Sequence, residues 1–412
     1  MKKLRVVRLG DPMLFFLVVG LSLFGIAMVY SAGVLDVPSA VVTGIWRQQL
    51  LWFILALIAT PFVLRVSVTW LEWAAQPVYI FALLLLILTL FIGGGSGTAE
   101  SSSSWIQVGP VRLQTSEIAK ISVILMLARV LGEWREPPQT LWAIWKPIAV
   151  VMVPMALVML QPDLGTALVF SSILIWMLFW AGTPLRTLFL LVSAGIGLFL
   201  SINTWLWGGW LILVAVLCVR WRRYLSETVA VVLANIAAGT VALPLWDSLK
   251  PYQQNRFLVF LDPAVDPRGA GYNLIQSRVA IGSGGWFGKG FTEGTQKRLA
   301  FLPEQHTDFI FAVVGEELGF IFGVLPVILA FGLIFWRLVR IAERSSDPFA
   351  SLVPFGIFGS WFAHVLVNVG MTVGIMPITG IPLPFISYGG SFLLVNVLAM
   401  VIVQRVAAEG RR

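Results

Sequence analysis

Apolar stretches long enough to cross a lipid bilayer recur along almost the whole chain, and a bilayer admits few folds. They lie near 13–32, 48–66, 76–93, 117–132, 147–160, 165–181, 186–203, 205–219, 226–246, 309–336, 350–375 and 386–406. A spanning helix needs roughly 20 predominantly apolar residues. Inside hydrocarbon every backbone N–H and C=O must be paired within the protein, so only helices and closed barrels cross. The alternating pattern of a barrel is absent, and strands are improbable. The expected fold is all-α, a polytopic membrane bundle of 10–12 transmembrane helices with one large extracytoplasmic loop. Composition agrees, because 12% of the 412 residues are charged against about 25% in soluble domains.

Loop charge orients such a bundle, since Lys and Arg concentrate in short cytoplasmic connections. Lys2, Lys3, Arg5 and Arg8 open the chain. Further basic residues follow at Arg129, Arg135, Lys146, Arg186, Arg220, Arg222, Arg223, Arg337, Arg340, Arg344, Arg405, Arg411 and Arg412. Twelve spans put all of these on one side, together with both termini. The connections at 33–46, 94–116, 161–165, 247–308 and 376–385 fall on the other. The net charge of +8 therefore reads as topology and excludes a nucleic-acid role. The basic amino terminus reads as a retained cytoplasmic tail. The single cysteine, Cys218, excludes disulfides and thiolate metal sites within one chain.

The longest polar interruption is 247–317. Within it, 247–308 reads as a large folded extracytoplasmic loop, because aromatic and aliphatic residues are spaced through it (Phe257, Phe260, Tyr272, Ile275, Phe287, Phe301). Its Asp262 and Asp266 each precede a proline, which suits a turn. Beside Arg256 and Arg268 they also suit chemistry on an anionic lipid-linked substrate, with the cations on phosphate and a carboxylate taking a proton. The glycine-rich GSGGWFGKG at 282–290 has the look of an anion nest, or of a flexible loop. It lacks the Walker ending, so an ATPase is a poor fit.

His306, Asp308, Glu316 and Glu317 open the next span, and acids there imply an internal cavity. No cofactor is indicated; a divalent cation is left open, although the spacing matches no standard metal site. Glu117 and Lys120 share a helix face at i, i+3 and read as functional, whereas Asp163 in QPDLGT reads as a turn and helix cap. His364 reads as a polar packing contact. Five glycines and three prolines break 368–391, so that stretch is expected to be re-entrant or kinked, with Asn368, Ser387 and Tyr388 supplying hydrogen bonds.

These blocks together resemble the SEDS family (shape, elongation, division and sporulation). The residues that carry the resemblance are WIQVG and QTSEIAK, QPDLGTA, YQQNRFLVFLDPAVDPRGAGYNLIQSRVAIGSGGWFGKGFTEGTQKRLAFLPEQHTDFIFAVVGEELGF, and NVGMTVGIMPITGIPLPFISYGGS. They cover most of a single 1–412 domain, in family order, and sit nearer the RodA branch than the FtsW branch. The resemblance implies a peptidoglycan glycosyltransferase of the elongation complex. Such an enzyme polymerises lipid II on the outer face of the bacterial cytoplasmic membrane beside a class B penicillin-binding protein. It implies that Asp266 is the catalytic base, that Trp105, Glu117 and Lys120 belong to the site, and that inversion occurs at the donor sugar. Arg47, Arg256 and Lys289 are the candidates for the diphosphate. His306, Asp308, Glu316 and Ser387 are the remaining expected substrate-binding residues. The chain departs from the family pattern in SSSSW and in Thr115, where a proline is usual. It also departs in span number, twelve against ten, the excess being a hairpin at 205–246.

A lipid II flippase is the competing class, since many spans, intramembrane acids and broken helices also suit transporters. The absence of visible repeats and the gathering of acids at one face weigh against it. A purely structural anchor leaves the buried charges unexplained.

Overall fold

The computed structural model describes residues 9–36, 42–94, 104–109, 111–138, 140–221, 224–249, 251–262, 265–266, 270–302 and 304–410. Lys2, Lys3, Arg5, Arg8, Arg222, Arg223, Arg268, Arg411 and Arg412, and most of the glycine- and serine-rich run before Trp105, lie outside them.

The chain is a bundle of apolar helices. In order they are α1 (Pro12–Ala32), α2 (Ile45–Val63), α3 (Val68–Ile92), α4 (Thr115–Gly132), α5 (Trp145–Leu160), α6 (Leu164–Trp180), α7 (Leu185–Leu200), α8 (Thr204–Arg220) and α9 (Leu225–Ser248). The polar loop adds α10 (Pro251–Leu261), α11 (Ala270–Gly284) and α12 (Thr295–Arg298). Then come α13 (Ile310–Gly319), α14 (Leu325–Arg344), α15 (Pro348–Val373) and α16 (Gly390–Glu409). Among the described residues, eight helical stretches are long and apolar enough to cross a membrane, and α6, α7 and α8 are shorter apolar helices. With α4, which carries Glu117, Lys120 and Arg129, each expected span has a helix.

Several starts follow from side-chain caps, which satisfy the first free N–H groups of a helix. Asp11 accepts from Leu14 N at 2.9 Å, with Pro12 in the first turn. Asp163 accepts from Thr166 N at 3.0 Å, as its turn chemistry predicts, and Asn203 and Asp347 cap α8 and α15. The cap at Ser67 starts α3 well before the apolar run at 76–93 does. Glu72 and Gln76 had masked that first part from a hydropathy reading.

α15 is the axis of the bundle, with 83% of its spanning stretch buried, against 11% for α9. α15 packs on α4, α6 and α14. α8 and α9 pack on α7 and on each other, joined by Asn235, which donates to Ser193 Oγ and accepts from Trp210 Nε1.

Hydrogen bonds sort the helix ends into two groups. Asp11 pairs with Arg337 and takes Gln404 into its backbone, and Glu409 accepts from Val68 N. At the opposite end Gln305 reaches Ala32 O, Arg298 pairs with Asp36, and Gly389 N donates to Gln49. For the connections these bonds join, the grouping is the one the loop charges predict.

Three features depart from expectation. A two-stranded antiparallel hairpin does form, β1 (Trp105–Val108) with β2 (Val111–Gln114), Trp105 opposite Gln114. Its strand β2 packs on α16 and its strand β1 on α3. The polar loop is largely helical. The run at 309–336 is not one helix, because Gly319 takes φ +70° and ψ −168° and a single wide turn over 320–324 separates α13 from α14.

Candidate functional site

The site is organised around 374–389, a stretch between α15 and α16 without regular secondary structure. Its Leu383, Phe385, Ile386 and Ser387 are buried. Non-helical backbone at membrane depth needs partners from the surrounding protein, and three chains of polar side chains supply them.

The first chain runs through α4. Glu117 and Lys120 pair at 2.8 Å with both side chains buried, as their spacing predicts. Lys120 Nζ lies 2.8 Å from His364 Nε2, and His364 Nδ1 lies 2.9 Å from Pro382 O. A carbonyl only accepts, so Nδ1 carries the proton and Nε2 receives the lysine's hydrogen bond. His364 is thus a relay between a buried ion pair and the re-entrant backbone, which is more than the isolated packing contact expected for it.

The second chain comes from the polar loop. Asn368 on α15 donates to both Asp308 O and Ile381 O, at 2.9 and 2.8 Å. Arg256 on α10 donates to Thr379 O at 3.4 Å. Gly380, with φ +74°, sits beneath Asp308 and Arg256. A β-carbon there would be 3.3 Å from Asp308 Oδ2 and 3.9 Å from Arg256 Nη1. Burial pushes the Asp308 carboxyl up to about 7, Glu304 and Asp163 add to the rise, and Arg256 opposes it. Burial also lowers the neighbouring His306 imidazole, against the pull of Glu304.

The third chain fixes the far end of the segment. Ser387 Oγ donates to Thr307 O at 2.6 Å and accepts from Leu383 N, and Tyr388 N donates to His306 O. Gln49 donates to Ser387 O, and the Tyr388 hydroxyl donates to Gln48. His306 and Tyr388 rings sit 5.7 Å apart.

Asp266 lies between α10 and α11, partly exposed, and its carbonyl accepts from Gly271 N. Asp262 is exposed at the end of α10. Trp105 is held in the hairpin, whose Gln114 N approaches Ser391 Oγ at 3.5 Å. Arg47 is exposed and lies over the Trp46 ring at 5.6 Å. So Glu117, Lys120, Arg256, His306, Asp308 and Ser387 gather on the re-entrant segment. Lys289 and Glu316 do not, and pair with each other at 3.0 Å.

That second cluster clasps the loop. Glu316 accepts from Lys289 Nζ, Thr295 Oγ1 and Gln296 N. Glu317 pairs with Lys297 at 2.5 Å, both side chains fully buried, and Lys297 also donates to Ser31 O and Oγ. Burial lowers the Lys297 ammonium while Glu317 holds it up. The two acids therefore face lysines and a serine, not an open cavity. Sequence reading missed Lys297 and Ser31, since one sits in an ordinary basic loop and the other in an apolar run. Among the described residues no group of three or more His, Cys, Asp or Glu side chains converges as metal ligands do.

The glycine-rich segment is likewise neither an anion nest nor a free loop. Lys289 N and Gly290 N donate to Glu316 O and Glu317 O, and Gly285 O and Trp286 O accept from Phe320 N and Ile321 N. The segment is stitched to the break between α13 and α14. Gly288 has φ +80°, and a β-carbon on it would overlap Glu317 O. Gly288→Ala is expected to unseat the segment and lower the thermal midpoint in detergent by several degrees, since both a left-handed strain of about 1–2 kcal/mol and a backbone clash oppose it. An unchanged midpoint would count against this docking.

Together these features define a polytopic helical membrane protein with its buried polar chemistry gathered under one folded loop. The family model for cell cycle proteins of the FtsW, RodA and SpoVE type matches residues 12–226 and 200–412. The chain is 35% identical to the peptidoglycan glycosyltransferase RodA of Treponema pallidum, over 97% of this chain and 98% of that one. It is 34% identical to the peptidoglycan glycosyltransferase MrdB of Escherichia coli, over 96% and 93%. Among solved structures it resembles a chain of a peptidoglycan synthase complex, with a TM-score of 0.71, 28% identity and 98% of both chains covered. It also resembles the rod-shape-determining protein RodA of Thermus thermophilus, with a TM-score of 0.63, 26% identity and 98% of both covered. The chain belongs to the FtsW, RodA and SpoVE family.

Proposed function

We propose that the chain is a peptidoglycan glycosyltransferase that joins lipid II units into glycan strands during cell elongation, in the bacterial cytoplasmic membrane with both termini inside. The observation that carries this reading is the gathering of Glu117, Lys120, Arg256 and Asp308 on a non-helical segment beneath the loop that holds Asp266. A lipid-linked donor reaches such a place from the bilayer, and its diphosphate needs cations there. Arg256 is the first of these, with Arg47 and Lys289 outside it. Asp266 takes the proton from the acceptor sugar hydroxyl as that oxygen attacks the donor's anomeric carbon. The lipid diphosphate leaves from the opposite face, so the configuration inverts. Trp105, Glu117, Lys120, His306 and Ser387 shape and support the pocket, and Glu316 seats the loop above it. A class B penicillin-binding protein is the partner that crosslinks the product, a reading supported by the likeness to a chain of a peptidoglycan synthase complex. The α8–α9 pair is a peripheral addition to this single domain.

The test is a purified preparation given labelled lipid II, with and without a class B penicillin-binding protein. A ladder of glycan products is expected on a gel. Transfer of lipid II across liposome membranes with no ladder in either condition would replace this reading with the flippase.

A further inference from the structure

Asp308 and Arg256 come from different elements, the turn before α13 and the helix α10, yet both side chains reach the same point above Gly380. Neither is placed there by chance packing. Asn368 holds the backbone of Asp308 to Ile381 O, and Arg256 reaches Thr379 O. Thr379 Oγ1 is buried and has no hydrogen-bond partner. So the point above 379–380 offers a cation and an unsatisfied hydroxyl, with a carboxyl beside them.

We propose that Asp308 is an internal counter-charge to Arg256: it faces the guanidinium across Gly380 when the pocket is empty, and it takes up a proton when the diphosphate of a lipid-linked sugar engages the guanidinium. The inference rests on the reading above, that the ligand is a lipid-linked diphosphate. It assigns Asp308 a role opposite to direct ligand binding, because a carboxylate repels phosphate unless it is protonated.

The electrostatics agree with the geometry. The groups facing Asp308 are Glu304 on its own turn, Arg256 on α10 and Asp163 at the start of α6, and His306 stands two residues before it. Glu117 of the Glu117–Lys120 pair is also in the field of Asp163. Of those acting on Asp308, Arg256 alone lowers its carboxyl, which stands near 7. Once phosphate oxygens engage the guanidinium, that cation is neutralised and negative charge arrives, so the Asp308 carboxyl rises further. The sign follows by linkage. Above pH 7 the bound state holds more protons than the free state, so affinity falls as pH rises. Below pH 7 Asp308 is already protonated when free, and affinity levels off.

The test measures binding of prenyl-diphosphate-linked N-acetylglucosamine to the full-length protein in nanodiscs, by calorimetry between pH 6 and pH 8.5. This probe is a diphosphate diester and does not itself titrate in that range. Wild-type affinity is expected to fall by up to about tenfold per pH unit above 7, the limit for one linked proton. Runs in two buffers of different ionisation enthalpy are expected to count uptake of close to one proton at pH 8. Asp308→Asn is expected to bind at least as tightly as wild type at pH 8.5 with a flat pH profile, and Arg256→Ala to bind at least tenfold more weakly throughout. Normal wild-type affinity with no pH dependence and no proton uptake would overturn the counter-charge proposal and leave the diphosphate reading standing. That outcome needs no variant to fold. Absence of binding at every pH would overturn both.

Discussion

Asp266→Asn is expected to give a protein that folds, binds lipid II and makes no glycan ladder. The loss of rate is expected to be on the order of 10² to 10⁴, the usual contribution of a positioned general base. Asparagine keeps the size of the side chain but cannot accept the proton from the attacking hydroxyl. Asp266 is partly exposed between α10 and α11, and its backbone carbonyl, bonded to Gly271 N, is retained by the exchange. Thermal midpoints of the two proteins are therefore expected to match. A ladder of normal length from the variant would remove Asp266 from the chemistry. Loss of the ladder together with a large fall in midpoint would make its role structural.

Lys297→Met is expected to cost about 3–5 kcal/mol, the penalty for leaving the partner of a buried ion pair uncompensated. Glu317 would lose its cation in a place with no water access, and Ser31 O would lose its donor. Replacing both partners, Lys297→Met with Glu317→Leu, is expected to recover much of that loss, since no charge then stays buried. Denaturation in detergent measures both. If the single and double variants were equally unstable, the pair's electrostatics would not be what seats the loop.

The bundle was legible because hydropathy over about 20 residues is set by the bilayer itself. α15 was legible for a second reason, the glycines and prolines that end it. The pairing of Glu117 with Lys120 and the capping by Asp163 are local, and local spacing reports them. What escaped was long-range. Ser31 and Lys297 are 266 residues apart, and nothing in either neighbourhood names the other. The glycine-rich segment misled because a nest and a tight docking to another backbone both call for glycine. The hairpin at Trp105 escaped because a two-stranded ribbon of four residues each is too short to show its alternation.

The clasp between α1 and the loop also bears on the order in which the chain is built. α1 is made long before the loop, and the end of it at Ser31 and Ala32 waits for Lys297, Gln305 and Glu317. Everything from α2 to α12 must be synthesised before those groups exist, and contacts of such wide sequence separation close late. A nascent product that stops before α12 therefore leaves the end of α1 without any of these partners.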